Sequence, residues 1–460
     1  MTNGDESGTK MATATPTKPD NSTDGNGDLK IIEDATCTFC GCVCDDMQLT
    51  VENNRITKAK NACVLGKAWF LNHNIEDRPE ALIEGKPASY DQAIERAADI
   101  LMEAIYPVTY GLSDTTCEAQ RVAMAITDWI GGTIDTTTSV CHGPSGIAFQ
   151  GVGEVTCSLG EVKNRADFLI FWGGNPAESH PRHFTRYSLM PKGEFVPNGR
   201  KDRTAVLVDI RKTKSAKAAD HFLQVKPQRD FELAWALRAM AKGLELDPLI
   251  AETTGIPMET LEEVGEKMLN AKFGVILFGM GLTMTRGKHM NSEAILSLAR
   301  DLNRDGKRWT CKPMRGHGNV TGADNVVSWS TGYPFGVNLS RGYPRFNPGE
   351  FTTTDLLCRE EVDAALIVAS DPMSNFAQAA RDHLAKINSV VLDPKLSETA
   401  KVATVAFTTS TYGINTNGTV YRMDDIPIPL RKAFDSPFKS DYDILKAIET
   451  RIRERQLATA

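Results

Sequence analysis

The chain has 460 residues, 41% of them with apolar side chains, and a net charge of −7. That length suggests about three domains or subdomains, and the composition excludes a mainly disordered or fibrous protein. A net negative charge without a long Lys/Arg run argues against a nucleic-acid partner. The longest apolar run, Phe273 to Leu282, falls well short of the roughly 20 residues of a membrane helix.

Residues 1–28 are mostly Thr, Asn, Asp, Gly, Ser and Lys. They carry too little apolar surface to offset ordering entropy and are expected to form a disordered tail. No stretch there resembles the apolar core of a secretory signal, so the chain reads as cytoplasmic. Thiols stay reduced in that compartment, and clustered cysteines then point to a metal more than to disulfides.

Order is expected from about residue 29. A small cysteine-bearing subdomain spans 29–75, α/β domains span 76–435, and a C-terminal helix spans 436–460. Ile31 to Asp34 leads into the cysteines, and Met47–Val51 and Ile56–Ala59 read as a hairpin around Glu52-Asn53-Asn54. Asp91 to Tyr106 has helical apolar spacing. Short apolar runs follow at Val108–Leu112, Phe168–Trp172, Ala205–Ile210, Gly274–Phe278, Ala364–Val368 and Val390–Leu392. Helical patterns lie between them at Cys117–Trp129, Phe231–Lys242, Met258–Asn270 and Asn291–Leu302. That alternation predicts an α/β fold with doubly wound, mainly parallel sheets. Ligands of such sheets sit beyond the carboxyl ends of the strands. The polar or glycine-rich loops there are Gly173-Gly174-Asn175-Pro176, Arg211-Lys212-Thr213, Gly279-Met280-Gly281 and Ser370-Asp371-Pro372. Each suits a phosphate through its backbone N–H groups, although a single glycine after a strand is more often turn geometry. No short tandem repeat is visible.

Three constellations carry chemistry. The first is Cys37-Thr38-Phe39-Cys40-Gly41-Cys42-Val43-Cys44, with Cys63 after an 18-residue gap. Cys37, Cys40, Cys44 and Cys63 can supply four thiolates to a [4Fe–4S] cluster, leaving Cys42 surplus. Zinc is the rival, but a zinc ribbon needs a second Cys pair and Gly66 occupies the required position; a degenerate, empty site is a third reading. The second constellation, Cys141-His142-Gly143-Pro144, sets a soft ligand or nucleophile beside a proton carrier; a core Cys beside a loop His is the plainer reading. The third, Pro313-Met314-Arg315-Gly316-His317-Gly318-Asn319, offers an Arg for a carboxylate, against the plainer reading of a solvated Arg. His180-Pro181-Arg182-His183 is dense in polar groups but fits no common zinc spacing.

Together these motifs resemble the B subunit of formylmethanofuran dehydrogenase, a family related to molybdopterin-dependent formate dehydrogenases. The likeness runs from about Ile31 to Leu430, through Cys37–Asp46, Cys141–Pro144, Trp172–Arg186, Gly199–Arg203, Gly281–Lys288, Pro313–Asn319 and Gly418–Asp424. The resemblance implies the molybdopterin oxidoreductase fold, a tungsten or molybdenum ion held by two pterin guanine dinucleotides, and Cys141 as its protein ligand. His142 and Arg315 match the polar residues beside that metal, and Cys37, Cys40, Cys44 and Cys63 match the cluster ligands. Lys67 is implied between cluster and pterin; Gly174, Asn175, Asp209, Arg211, Thr213 and Asp371 are implied as pterin-dinucleotide contacts. The implied reaction is reversible reduction of CO2 to formate in methanogenic one-carbon metabolism. The implied partners are three further subunits, amidohydrolase-like, formyltransferase-like and dinucleotide-binding, together with a ferredoxin-type electron carrier. The amidohydrolase-like partner would formylate methanofuran.

Two departures stand out. Pro227-Gln228-Arg229-Asp230 has Gln228 where pterin-binding relatives often carry a glycine, and Asn417 is neutral where they often carry an acid. These keep a second reading open: a non-redox scaffold subunit of a formyltransferase/hydrolase complex in formaldehyde oxidation, with a vestigial pterin site.

Overall fold

The computed structural model describes residues 29–73 and 77–459. The tail expected over 1–28 lies outside them, as does the boundary expected at 75/76. Two parallel-stranded sheets organise the chain. One has five strands, all parallel, in the spatial order His221–Gln224, Thr204–Asp209, Phe168–Trp172, Phe273–Phe278, Arg308–Pro313. The other has nine. Its central parallel five run Val405–Thr408, Asn388–Asp393, Ala364–Val368, Pro107–Gly111, Thr133–Thr136. Short antiparallel strands flank it at both edges. The whole five-stranded sheet is inserted in sequence between strands of the nine-stranded one, so the α/β region is interleaved.

Period-two alternation assigns the faces. Phe168, Ile170 and Trp172 face a core built with the helices Asp230–Ala241, Met258–Asn270 and His289–Leu302. Leu169 and Phe171, pointing the other way, pack with Met47, Leu49 and Phe70 of the N-terminal subdomain. The cysteine-bearing segment is thus seated on the face of a sheet by apolar burial worth roughly 1.5–3 kcal/mol per large side chain. That segment is a three-stranded antiparallel sheet, Lys30–Ala35, Met47–Glu52 and Arg55–Lys60, followed by the helix Val64–Leu71. In the nine-stranded sheet Ala364, Leu366 and Val368 meet the helices Tyr90–Glu103, Cys117–Trp129 and Asp441–Thr459. Ala365 and Ile367 meet Thr353–Cys358 and Gln378–Leu384.

Helix ends follow local chemistry. Tyr90–Glu103 opens with a full capping box, Ser89 and Gln92 exchanging hydrogen bonds with each other's backbone. Leu159–Arg165 opens with the same device, from Ser158 and Glu161. No helix among the described residues is long and apolar enough to cross a membrane.

Candidate active site

Both sheets reverse strand order at their centres, between Phe168–Trp172 and Phe273–Phe278 in one and between Ala364–Val368 and Pro107–Gly111 in the other. These are the points where a crevice opens beyond the strand ends. At the first, Gly279 donates its N–H to Trp172 O (2.9 Å) and Gly281 to Gly173 O (2.9 Å). Gly173 has φ +58°, and a Cβ there would lie 2.7 Å from the Gly281 carbonyl carbon. The glycines of both loops are therefore required by close backbone approach.

Cys141 and Arg315 come from the outermost parallel strands of the two sheets. Thr133–Thr136 leads through a 3-10 turn, Thr137–Val140, to Cys141. Arg308–Pro313 leads to Met314 and Arg315. Arg315 is buried, donates to Thr138 Oγ1 (3.2 Å) and pairs with Asp324 (3.0 Å). Asp324 in turn accepts from Thr136 Oγ1 (2.9 Å) and Thr138 Oγ1 (2.8 Å). One carboxylate thus ties the Arg315 loop to the turn that ends at Cys141. Burial pushes the Cys141 thiol up to about 11, and the Arg315 guanidinium opposes that shift. Thr283 Oγ1 donates to the Cys141 carbonyl (3.3 Å), bringing in the segment after Gly281.

His142 is fully buried at the start of the helix Gly143–Val152. Nδ1 faces Ser145 Oγ (3.3 Å), the ring stands edge-on to Phe278, and Nε2 is sealed without a partner among the described residues. Burial, reinforced by the charge of Arg315, lowers its pKa to about 3. Burial thus favours the neutral imidazole, a hydrogen-bonding group, over the cation.

The cysteine loop lies against the other side of the Arg315 loop. Gly41 N–H donates to Gly316 O (3.2 Å), and a Cβ on Gly41 would run into the Arg315 carbonyl. A Cβ on Gly318 would likewise meet the Thr38 carbonyl. Cys37, Cys40, Cys42, Cys44 and Cys63 line one pocket. Cys63 caps its helix, its Sγ accepting from Gly66 N–H (3.4 Å). Among the described residues no three His, Cys, Asp or Glu groups converge as a single ion requires.

The polar segment after His180 acts as a strut. His180 Nε2 hydrogen-bonds with Arg315 O (2.7 Å). Arg182 forks onto Asp46 (2.5 and 2.6 Å), while Arg186 reaches Asp46 (2.6 Å) and Asp45 (2.7 Å). A π-turn, His183–Ser188, starts just after Arg182 and carries Arg186. Burial raises the Cys44 thiol, and these two arginines pull it back down. Arg182 was noted from sequence only as part of a polar segment, and Asp45, Asp46, Arg186 and Asp324 were given no role there. The two arginines meet the two aspartates in three ion pairs that span more than a hundred residues of sequence.

The remaining expected contacts lie at the strand ends. Gly174 sits against Gly279 and Met314, and Asn175 Oδ1 accepts from Ser215 Oγ (2.7 Å). Asp209 accepts from Arg211 N–H (3.2 Å), Arg211 is exposed, and Thr213 is buried with Oγ1 unpartnered among the described residues. Asp371 sits at the other sheet's switch point. Lys67 is exposed on the helix Val64–Leu71, just after Cys63. Gln228 is exposed with φ +66°, so it holds a left-handed turn that favours glycine.

The molybdopterin oxidoreductase family matches residues 86–451. The chain is 45% identical over 435 residues to the B subunit of tungsten-containing formylmethanofuran dehydrogenase 2 from Methanocaldococcus jannaschii, covering 93% of this chain and 99% of that one. It is 41% identical to the protein of the same name from Methanococcus maripaludis, covering 93% and 100%. Among solved structures it is similar to a chain of the formyltransferase/hydrolase complex of Methylorubrum extorquens, with TM-score 0.67 and 21% identity over 82% of this chain and 99% of that one. At that identity the likeness bears on the fold. By its family match, and by 45% identity over nearly all of its length, the chain belongs to the molybdopterin oxidoreductase family, in the branch of the formylmethanofuran dehydrogenase B subunits.

Proposed function

We propose that the chain is the redox subunit of a formylmethanofuran dehydrogenase, interconverting CO2 and formate at a tungsten- or molybdenum-pterin centre. The observation that carries this is the placement of Cys141 and Arg315 beyond matching strands of the two sheets, joined through Asp324. Cys141 would hold the metal. Gly174, Asn175, Asp209, Arg211 and Thr213 on one sheet, and Asp371 on the other, would hold the two pterin dinucleotides. When bound, the centre supplies the electron pair that CO2 reduction consumes.

The chain's own groups do the rest. Arg315 is buried and fixed by Asp324, so it can orient a carboxylate without reorganising and stabilise its charge. His142 offers a neutral ring nitrogen for a hydrogen bond. Cys37, Cys40, Cys44 and Cys63 ring a pocket, which suits a [4Fe–4S] cluster because each iron takes its own thiolate. Their loop touches the Arg315–Gly318 backbone, so electrons would enter from that side. The partners on this reading are amidohydrolase-like, formyltransferase-like and dinucleotide-binding subunits with a ferredoxin-type carrier, in the cytoplasm.

Gln228 in its left-handed turn favours the second reading, the non-redox scaffold of a formyltransferase/hydrolase complex. The relative from that complex, however, is 24% identical over 64% of this chain, far below the dehydrogenase subunits. Metal analysis and an absorption spectrum of the anaerobically purified complex decide between them. Tungsten or molybdenum with cluster amounts of iron is expected; a colourless complex with neither would sink the redox reading.

A further inference from the structure

The helix Gly143–Val152 begins two residues after Cys141 and ends at Gly153, whose φ of +75° turns the chain and brings Glu154 to a cavity of about 340 Å3. Gly146, Glu154, Arg315, Asp324 and Asp425 are among its lining residues. The cavity therefore reaches from the helix beside the candidate metal ligand, past Arg315, to the outer loop that holds Asp425.

Glu154 has no ion pair among the described residues, and its Oε1 is sealed from solvent without a hydrogen-bond donor. The cations facing it are committed elsewhere. Lys312 donates to Thr156 Oγ1 (2.7 Å), and Arg315 is paired with Asp324. Burial pushes the Glu154 carboxyl up to about 7; Lys312 and Arg315 oppose that and Asp425 adds to it. Such a group changes protonation state near neutral pH at little cost.

We propose that Glu154 is the proton-relay group of this cavity, carrying the proton of the CO2–formate interconversion between the Arg315 site and solvent. In the oxidative direction the formate C–H bond breaks, CO2 leaves, two electrons pass to the metal–pterin centre and the proton passes to Glu154. In reduction the same proton returns. The inference rests on the redox reading above.

The test uses the intact complex with Glu154→Gln and Glu154→Asp variants. The carboxyl infrared band that disappears in Glu154→Gln is titrated in the wild type, without turnover. A midpoint near 7 is expected, and one below 5 overturns the proposal. In viologen-coupled formate oxidation, Glu154→Gln should lose about a hundredfold, the low end for proton-transfer groups, together with the pH limb near neutrality. Glu154→Asp should keep that limb, and metal and iron contents should not change. An unchanged pH profile in Glu154→Gln, with an active wild type, overturns the relay alone. A wild-type complex that carries its metal yet cannot oxidise formate overturns the redox reading and the relay with it.

Discussion

At the carboxyl ends of the two sheets the same turn occurs twice. After Phe168–Trp172, Gly173 donates to Val208 O (2.9 Å); after Ala364–Val368, Ala369 donates to Leu392 O (2.9 Å). Both residues are left-handed, at φ +58° and +49°. Asn175 and Asp371 follow with φ/ψ of −125°/69° and −124°/70°, each before a proline that starts a short helix. Asn175 Oδ1 accepts from Ser215 N–H (3.3 Å) and Oγ (2.7 Å), and Ser215 Oγ accepts from Ala177 N–H. Asp371 Oδ1 accepts from Thr399 N–H (2.9 Å) and Oγ1 (2.6 Å), and Thr399 Oγ1 accepts from Met373 N–H. One construction thus serves two sites, consistent with one dinucleotide on each sheet. The copies differ in charge, Asn against Asp, and in space, Gly against Ala.

The difference in space predicts the largest effect. Gly173→Ala should cost about 3–5 kcal/mol, from left-handed strain plus collision with Gly281 and Leu282. Ala369→Gly should change stability by less than about 0.5 kcal/mol, because relief of strain offsets the added chain entropy. Urea unfolding of the two variants measures this; equal costs would break the comparison. The difference in charge predicts the next. Ser215→Ala removes a bond to a neutral amide, worth about 1 kcal/mol, whereas Thr399→Val removes one to a carboxylate, worth about 2 kcal/mol. Equal losses in the same unfolding assay would mean that the charge of Asp371 adds nothing to its copy of the turn.

Sequence carried much of this fold because buried parallel strands read as continuous apolar runs. All six runs, Phe168–Trp172 among them, lie on strands. Two parallel strands that lead to the site escaped. Thr133–Thr136 is buried yet polar, its Thr136 hydroxyl spent on Asp324. Arg308–Pro313 carries Arg308 and the buried Lys312 and ends in proline. The cysteine run was legible because its spacing is local. Asp324 was not, since it lies in Val320–Thr331, a helix with three valines, two threonines and a glycine in which propensity is weak. The repeated turn left only a faint trace, Asn-Pro with Asp209-Ile-Arg and Asp-Pro with Asp393-Pro-Lys. Its likeness lies in hydrogen bonds that join residues 28 and 40 positions apart.

The smallest effect separates the two halves by pH. Asp393 ends its strand as Asp209 ends the matching strand, accepting from Lys395 N–H (2.7 Å) as Asp209 accepts from Arg211 N–H. Burial pushes Asp393 up to about 6, with Asp371 adding to the shift. A carboxyl raised above its unfolded value gives stability that is full below the unfolded pKa and lost as pH rises through 6. Wild type should therefore lose about 1 kcal/mol relative to Asp393→Asn between pH 5 and 7. Asp371 runs the other way. Burial works to raise it, but the bonds from Ser374 and Thr399 hold it below the ordinary carboxylate range. Its contribution is present above the unfolded pKa and lost as pH falls through the folded one, so wild type and Asp371→Asn should converge in acid. Coupling gives the decisive measurement. Removing the Asp371 charge should lower the Asp393 midpoint, so in an Asp371→Asn background the loss from Asp393 should end at lower pH and be smaller. The first half, with neutral Asn175 in that place, has no such coupling. If Asp371→Asn leaves the Asp393 transition where it was, the charge difference between the two turns is local and does not reach the next strand.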